Sequence, residues 1–329
     1  MVCFIFRKTY NVMADRAHNS FILFLYKFVG RKRRELWIMK KRAILEKGSK
    51  ALFFLSSLIS VAAVLCICLF IFGGAIPAFR EIGLWKFITG TGWKPNNDPQ
   101  QFGIAYMIIG SFYVTGGALL LGVPIGLLAA IFMAKYCPRR LYGVLSQGVS
   151  LLAGIPSIVY GFFGMMIIVP FIADHFPGNG NSVLAASVVL AIMILPTIIT
   201  VSENSIRALP SAYYDGAIAL GATHTEAVFF VLVPAARRGI VTSVVLGMGR
   251  AIGETIAVGM VAGNSNILPA TIFKSVRTLT VNIVSEMSYA SGLHYDALIA
   301  TGAVLFVFIL LLNISLNLIT KGGKANEKC

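Results

Sequence analysis

The segment Gly249-Arg250-Ala251-Ile252-Gly253-Glu254-Thr255 places a permanent cation and a carboxylate inside a stretch that is otherwise apolar. An ionisable residue at membrane depth costs at least about 2.5 to 3.5 kcal/mol to insert, so it faces a partner or a wet pathway. Arg250 and Glu254 are four apart, which on one continuous helix puts them on one face within pairing reach. Two chemistries fit. In the first, the planar fork of Arg250 donates parallel hydrogen bonds to two oxygens of an oxyanion, and Glu254 holds the arginine between passages so that the anion leaves again. In the second, the two residues form a structural ion pair that ties the bundle together and touches no substrate. Gly253 and Thr255 share the same turn: the Thr255 hydroxyl can donate to an anion or bond to a helix carbonyl. Gly249 with Gly253, and Gly259 with Gly263, have the small-xxx-small spacing of close helix contacts.

A second constellation is a grammar of helix, stop, helix. Pro210 suits a helix start, and the run Tyr213-Tyr214-Asp215-Gly216-Ala217-Ile218-Ala219-Leu220 ends at Gly221, a residue suited to the left-handed position past a helix end. Thr223 and Glu226 then have capping-box spacing, and the second helix is expected to stop or kink near Pro234. Such a pair of short helices has an apolar side that needs a partner, and either the membrane surface or another protein provides it.

These residues require elements that hold them in lipid. The 329 residues are 57% apolar and 12% charged, too little charge to solvate a globular surface. Several charge-free runs reach the ~20 residues needed to cross hydrocarbon. The fold class expected is all-α, a polytopic bundle of about six spans: Ala51 to Phe79, Ile104 to Ala134, Val149 to Ile172, Ser182 to Val201, Gly239 to Gly263 and Ala297 to Ile319. Gly154, Pro156, Gly161 and Gly164 in the third permit a break or close backbone approach. The fifth is then the only span with formal charges. With both termini inside, the inner segments carry 22 Lys and Arg and the outer loops 5, as the positive-inside rule requires. The net charge of +15 therefore reads as topology and not as a nucleic-acid site.

The domain reading is a basic cytoplasmic extension over 1–50, a transmembrane domain over 51–319 containing the long cytoplasmic segment 202–238, and a cytoplasmic tail over 320–329. The first 50 residues hold 13 of the 28 Lys and Arg, and their apolar patch Phe21 to Val29 is too short to span. Residues 1–38 read as an extension upstream of a start at Met39, or as a basic arm held by anionic lipid. Cys3, Cys66, Cys68, Cys137 and Cys329 have no metal-ligand spacing, and neither a disulfide nor a metal site is expected. His175 and His294 fall in expected outer loops and read as solvated. No Gly-x4-Gly-Lys-Ser/Thr segment occurs, so a P-loop for ATP is not expected in this chain.

The helix-stop-helix segment resembles the EAA loop of ABC importer permeases, with Asp215-Gly216-Ala217, then Gly221, then Val231-Leu232-Val233-Pro234 in the corresponding spacing. Gly216 departs from the usual alanine and weakens helix propensity by roughly 1 kcal/mol. Arg250 to Val258 with Gly263-Asn264, the segment Ala153 to Gly161, and Val276-Arg277-Thr278-Leu279-Thr280 resemble the phosphate-specific permeases of such importers, PstC more than PstA, over roughly Met39 to Ile319. The resemblance implies a MetI-like permease fold and a non-catalytic subunit of the bacterial cytoplasmic membrane. It also implies a substrate path at Gly253, Arg250, Glu254 and Thr255. Asp215, Gly216, Ala217, Leu220, Gly221 and Glu226 would couple to an ATPase. The partners implied are a PstA-like permease, two PstB-like ATPase subunits carrying the ATP and Mg, an extracytoplasmic phosphate-binding protein, and membrane lipid. The residues themselves leave open another oxyanion such as sulfate or molybdate, a PstA-type subunit, a transporter or channel driven by an ion gradient, and a membrane scaffold or sensor.

Overall fold

The computed structural model describes residue 46 and residues 48–322, with side chains through Ile314. Most of the expected basic extension over 1–50, its alternative start at Met39 and most of the tail over 320–329 lie outside these described residues, and residues 48–50 already belong to the first helix. The helices are α1 (Gly48–Thr89), α2 (Ala105–Tyr136), α3 (Arg139–Gly154), α4 (Ser157–His175), α5 (Val183–Arg207), α6 (Ser211–Ala219), α7 (His224–Ala235), α8 (Arg237–Gly253), α9 (Ile256–Val261), α10 (Leu279–Glu286) and α11 (Leu293–Gly322). A two-residue antiparallel hairpin pairs β1 (Trp93–Lys94) with β2 (Gln101–Phe102). Five of the helices are long and apolar enough to cross a membrane, and α7 with α8, bent by 67°, makes a sixth if counted as one span. The expected bundle of about six spans is present.

Packing divides the chain into a unit ending at Leu69 and one beginning at Phe70. In the first, α1 exposes Leu52, Phe53, Phe54, Leu58 and Ile59, a continuous apolar surface suited to hydrocarbon. In the second, α2 packs along α5, and α8 lies against α5 as well. Their shared core includes Val114, Ala118, Leu190, Ile194, Ile198 and Ala251, closed by Ala257, Val258 and Val261 of α9. Pro124 in α2 and Pro196 in α5 sit inside these helices, where neighbouring elements tolerate them. A second core joins Ala75, Ala78 and Phe87 of α1 to Trp93, Phe102, Ile104, Leu279 and Leu298.

Several expected boundaries are corrected. The first span does not end at Phe79: a π-helical turn over Phe79–Gly83 absorbs the polar residues Arg80 and Glu81, and after a turn of the backbone at Gly83, with a φ of +85°, a short helical segment runs from Leu84 to Thr89. The third is not one helix from Val149, because α3 already starts at Arg139 and stops at Gly154 before Pro156. The fourth runs past Val201 to Arg207, carrying Glu203 and Arg207, so the fifth span is not alone in holding charges. The fifth breaks at Glu254–Thr255. The expected outer loop from Asn264 to Asp296 contains α10 and the start of α11.

Candidate functional site

Two broken helices face each other at the centre of the second unit. α3 and α4 are separated by Ile155–Pro156, whose residues are extended, and α8 and α9 by Glu254–Thr255. α9 packs against the first half of α4. Gly161 permits this approach, since a Cβ there would sit 2.9 Å from the Cα of Ala257 and 2.8 Å from the sulfur of Met260. In lipid, backbone groups released at a break must find partners within the protein. At the first break the Tyr160 hydroxyl donates to the Leu152 carbonyl at 2.7 Å, and the Ile155 N–H reaches the same oxygen at 3.3 Å. At the second, Glu254 Oε1 accepts from the Ala257 N–H at 3.1 Å, the Thr280 hydroxyl donates to the Glu254 carbonyl at 2.9 Å, and the Thr255 hydroxyl donates to the Gly253 carbonyl at 3.3 Å.

The expected pairing of Arg250 with Glu254 on one helical face is corrected by this geometry. The helix ends at Gly253, Glu254 has extended backbone angles, and its carboxylate turns forward to cap α9. Arg250 makes no ion pair or hydrogen bond among the described residues, and it lies within electrostatic reach of the Tyr160 hydroxyl. The close helix contact expected at Gly249 and Gly253 is also absent, as a Cβ at either position would find nothing within 4 Å among the described residues. The last turn of α8 therefore presents a half-buried, unpaired guanidinium on an open, small-residue face. A group so placed can take up a small anion without first breaking an ion pair.

Beside the Thr278–Thr280 hydroxyl pair, 3.1 Å apart, Arg277 anchors a separate polar network that sequence reasoning missed. Arg277 Nη1 donates to Glu286 Oε1 at 2.5 Å and to Asn282 Oδ1 at 2.9 Å. Glu286 Oε2 accepts from Trp93 Nε1 at 2.8 Å and lies 2.9 Å from His294 Nε2. The reading of His294 as a solvated loop residue is thus corrected, since it is buried at the start of α11. His175 remains exposed, with Nδ1 2.9 Å from the Phe171 carbonyl. The only available signal was the crowding of Arg277, Asn282, Glu286 and His294 at helical or near-helical spacing, which a loop assignment hides. Tyr160 had a better one: a hydroxyl one turn past Gly154-Ile155-Pro156.

The helix-stop-helix segment forms as expected. α6 follows Pro210 and ends in paired bonds, Ala222 N–H to Ala217 carbonyl at 3.1 Å and Gly221 N–H to Ile218 carbonyl at 2.9 Å, with Gly221 at a φ of +90°. The Thr223–Glu226 capping box is complete. Tyr214 and His224 join the two helices at 2.9 Å, and the His224 ring meets Tyr136 at the end of α2 edge-on, 4.8 Å between centroids. Ala217 is buried, whereas Asp215, Gly216, Gly221 and Glu226 are exposed and Leu220 is 92% exposed. On the other side, Val228, Leu232 and Ala236 pack on Ile131 of α2 and Ile206 of α5. The arm is thus rooted in the bundle and leaves an apolar tip free.

A bundle of broken spans with a rooted arm defines a multi-pass membrane protein, and the solved structures it superposes on share that fold. It aligns with the MetNI methionine ABC transporter at a TM-score of 0.54 and 20% identity, over 67% of this chain and 95% of that one. It aligns with a bacterial ABC transporter that imports the acidic polysaccharide alginate at 0.59 and 14%, over 82% and 95%. At these identities the likeness concerns the fold. Residues 122–322 match the model of the binding-protein-dependent transport system inner membrane component family, and the chain belongs to that family. It is 40% identical over 265 residues to the probable ABC transporter permease protein YqgH of Bacillus subtilis, covering 78% of this chain and 86% of the relative. It is 36% identical over 303 residues to the phosphate transport system permease protein PstC of Haemophilus influenzae, covering 86% and 94%.

Replacing Thr280 by Val keeps the volume and removes the donor to the Glu254 carbonyl. Leaving that carbonyl unsatisfied costs about 1 to 3 kcal/mol. Hydrogen exchange of the purified protein should therefore rise at the amides of residues 254–257 in Thr280→Val, with α2 and α5 unchanged; exchange equal to wild type at the break would contradict the assignment.

Proposed function

We propose that this chain is one of two permease subunits of an ATP-driven importer of inorganic phosphate in the bacterial cytoplasmic membrane, supplied by an extracytoplasmic phosphate-binding protein. The observation that carries the reading is Arg250, a cation with no ion pair among the described residues, held beside two helix breaks. Its fork suits a tetrahedral oxyanion, and its charge is permanent. The relatives named as phosphate permeases support phosphate over sulfate or molybdate, which the same fork would serve. They also support a PstC-type chain, and the reading pairs it with a PstA-like second permease.

The motor is a pair of PstB-like ATPase subunits that carry the ATP and its Mg, seated on the exposed tip around Asp215, Gly216, Leu220 and Gly221. When ATP draws the two ATPases together, the arms follow and the paired permeases open outward to receive phosphate. Hydrolysis resets them inward. Arg250 contacts the passing anion, with Gly253 leaving room and Thr255 offering a hydroxyl near the break. Glu254 anchors the start of α9 and supplies the negative charge that keeps the anion from staying.

At equal membrane abundance, Arg250→Gln should lower phosphate uptake about tenfold or more, since one charge-assisted bidentate contact is lost. Glu254→Gln should lose less, because its amide oxygen still accepts from Ala257. Wild-type uptake in both variants would overturn the role. Leu220→Asp should abolish co-purification of the ATPase on a tagged permease while leaving the permease in the membrane; retention of a stoichiometric ATPase would place the docking surface elsewhere.

A further inference from the structure

The last turn of α5 contains a second arginine whose contacts the mechanism above does not use. Arg207 Nε donates to Glu203 Oε1 at 2.7 Å, Nη2 donates to the Met133 carbonyl at 2.8 Å, and the guanidinium lies 4.3 Å from the centre of the Tyr142 ring. Each contact answers a specific need. The side chain of Glu203 is only 7% exposed, and a buried carboxylate without a partner is strongly destabilising. The end of α2 winds as a π-helix over Phe132–Tyr136, with Cys137 N–H bonded to the Phe132 carbonyl. In that register the Met133 carbonyl should accept from residue 138, which is Pro138 and has no N–H. Arg207 provides the missing donor. Tyr142 belongs to α3, so one guanidinium joins the ends of α2, α3 and α5.

Its location matters as much as its contacts. The preceding residue, Ile206, is fully buried against Val228, Leu232 and Ala236, the root of the α6–α7 arm, and against Ile131 of α2. The following residues lead through Pro210 directly into α6. Any displacement of the arm is therefore delivered to the bundle at the point where Arg207 joins three helix ends.

We propose that Arg207 is a positioning residue for transport: with Glu203, the Met133 carbonyl and Tyr142 it makes the ends of α2, α3 and α5 a single body, so that movement of the arm becomes movement of the broken helices around Arg250. Without it the arm moves and the bundle lags, and ATP is hydrolysed with little phosphate carried. The inference rests on the importer reading above.

The test uses the full transporter purified through this chain with its co-purifying partners, reconstituted in liposomes with the phosphate-binding protein, and measures phosphate imported per ATP hydrolysed. Arg207→Gln should lower that ratio at least about fivefold while the hydrolysis rate stays within about twofold of wild type. Arg207→Lys, which keeps the charge for Glu203 but lacks the fork for Met133 and Tyr142, should fall between. The double variant Glu203→Gln with Arg207→Gln removes the unpaired carboxylate, so it should recover melting temperature without recovering the ratio. An unchanged ratio in Arg207→Gln, or a ratio restored together with melting temperature in the double variant, would overturn the proposal in favour of a purely structural clasp. A wild-type complex that imports phosphate without hydrolysing ATP would overturn the importer reading, and the proposal with it.

Discussion

A helix broken inside a membrane releases backbone donors and acceptors that lipid cannot satisfy, and the centre of this protein is organised by the need to satisfy them. The break before Pro156 is closed by the Tyr160 hydroxyl, and the break at Glu254 by its own carboxylate and by Thr280. Each unsatisfied group would cost about 1 to 3 kcal/mol, and a domain has only about 5 to 15 kcal/mol to spare. The consequence is chemical as well as structural. Glu254, the obvious partner for Arg250, is used on the backbone of α9, and the arginine is left without a counter-ion among the described residues.

The three arginines set in the interior or at its edge show how distinctive that is. Arg277 is held by Glu286 and Asn282, and Arg207 by Glu203, a backbone carbonyl and an aromatic face. Both are tied to a carboxylate and to at least one further group on another part of the chain, although Arg277 Nε has no hydrogen-bond partner among the described residues. Among the described residues Arg250 has none of these, although its burial is intermediate. A purely structural arginine would be the one best paired; this one is the least paired. That contrast favours a role in the passage of an anion over the ion-pair alternative.

Much of the architecture was legible in the residues. The apolar runs and the charge asymmetry marked the spans, and the capping box at Thr223 and the glycine at position 221 marked the arm almost to the residue. These succeed because local chemistry decides them: capping and left-handed turns depend on neighbours in sequence. The Arg250–Glu254 pairing failed for the complementary reason. Four-residue spacing brings two side chains together only on an unbroken helix, and the break is stabilised by Thr280, a residue distant in sequence. His294 was misread in the same way, because its burial depends on Glu286 and Trp93 meeting across separate elements. Glu203 and Arg207 were hidden by ending the helix at its last apolar residue, although a span can continue past the hydrocarbon with its charges paired at the membrane face.

The claim on which this account turns is that the face of α8 bearing Arg250 lines an aqueous path used by the anion, and a cysteine at position 253 reads it most directly. Gly253 lies one turn from Arg250 and is open in this structure, so the substitution fits without displacing a neighbour. In the assembled transporter with its other cysteines replaced, the account predicts that Gly253→Cys reacts with a charged sulfonate thiol reagent, and that phosphate delivered by the binding protein slows the reaction. A cysteine there that resists the charged reagent, reacts with an apolar maleimide and ignores phosphate would mean that this face meets lipid, and would contradict the account.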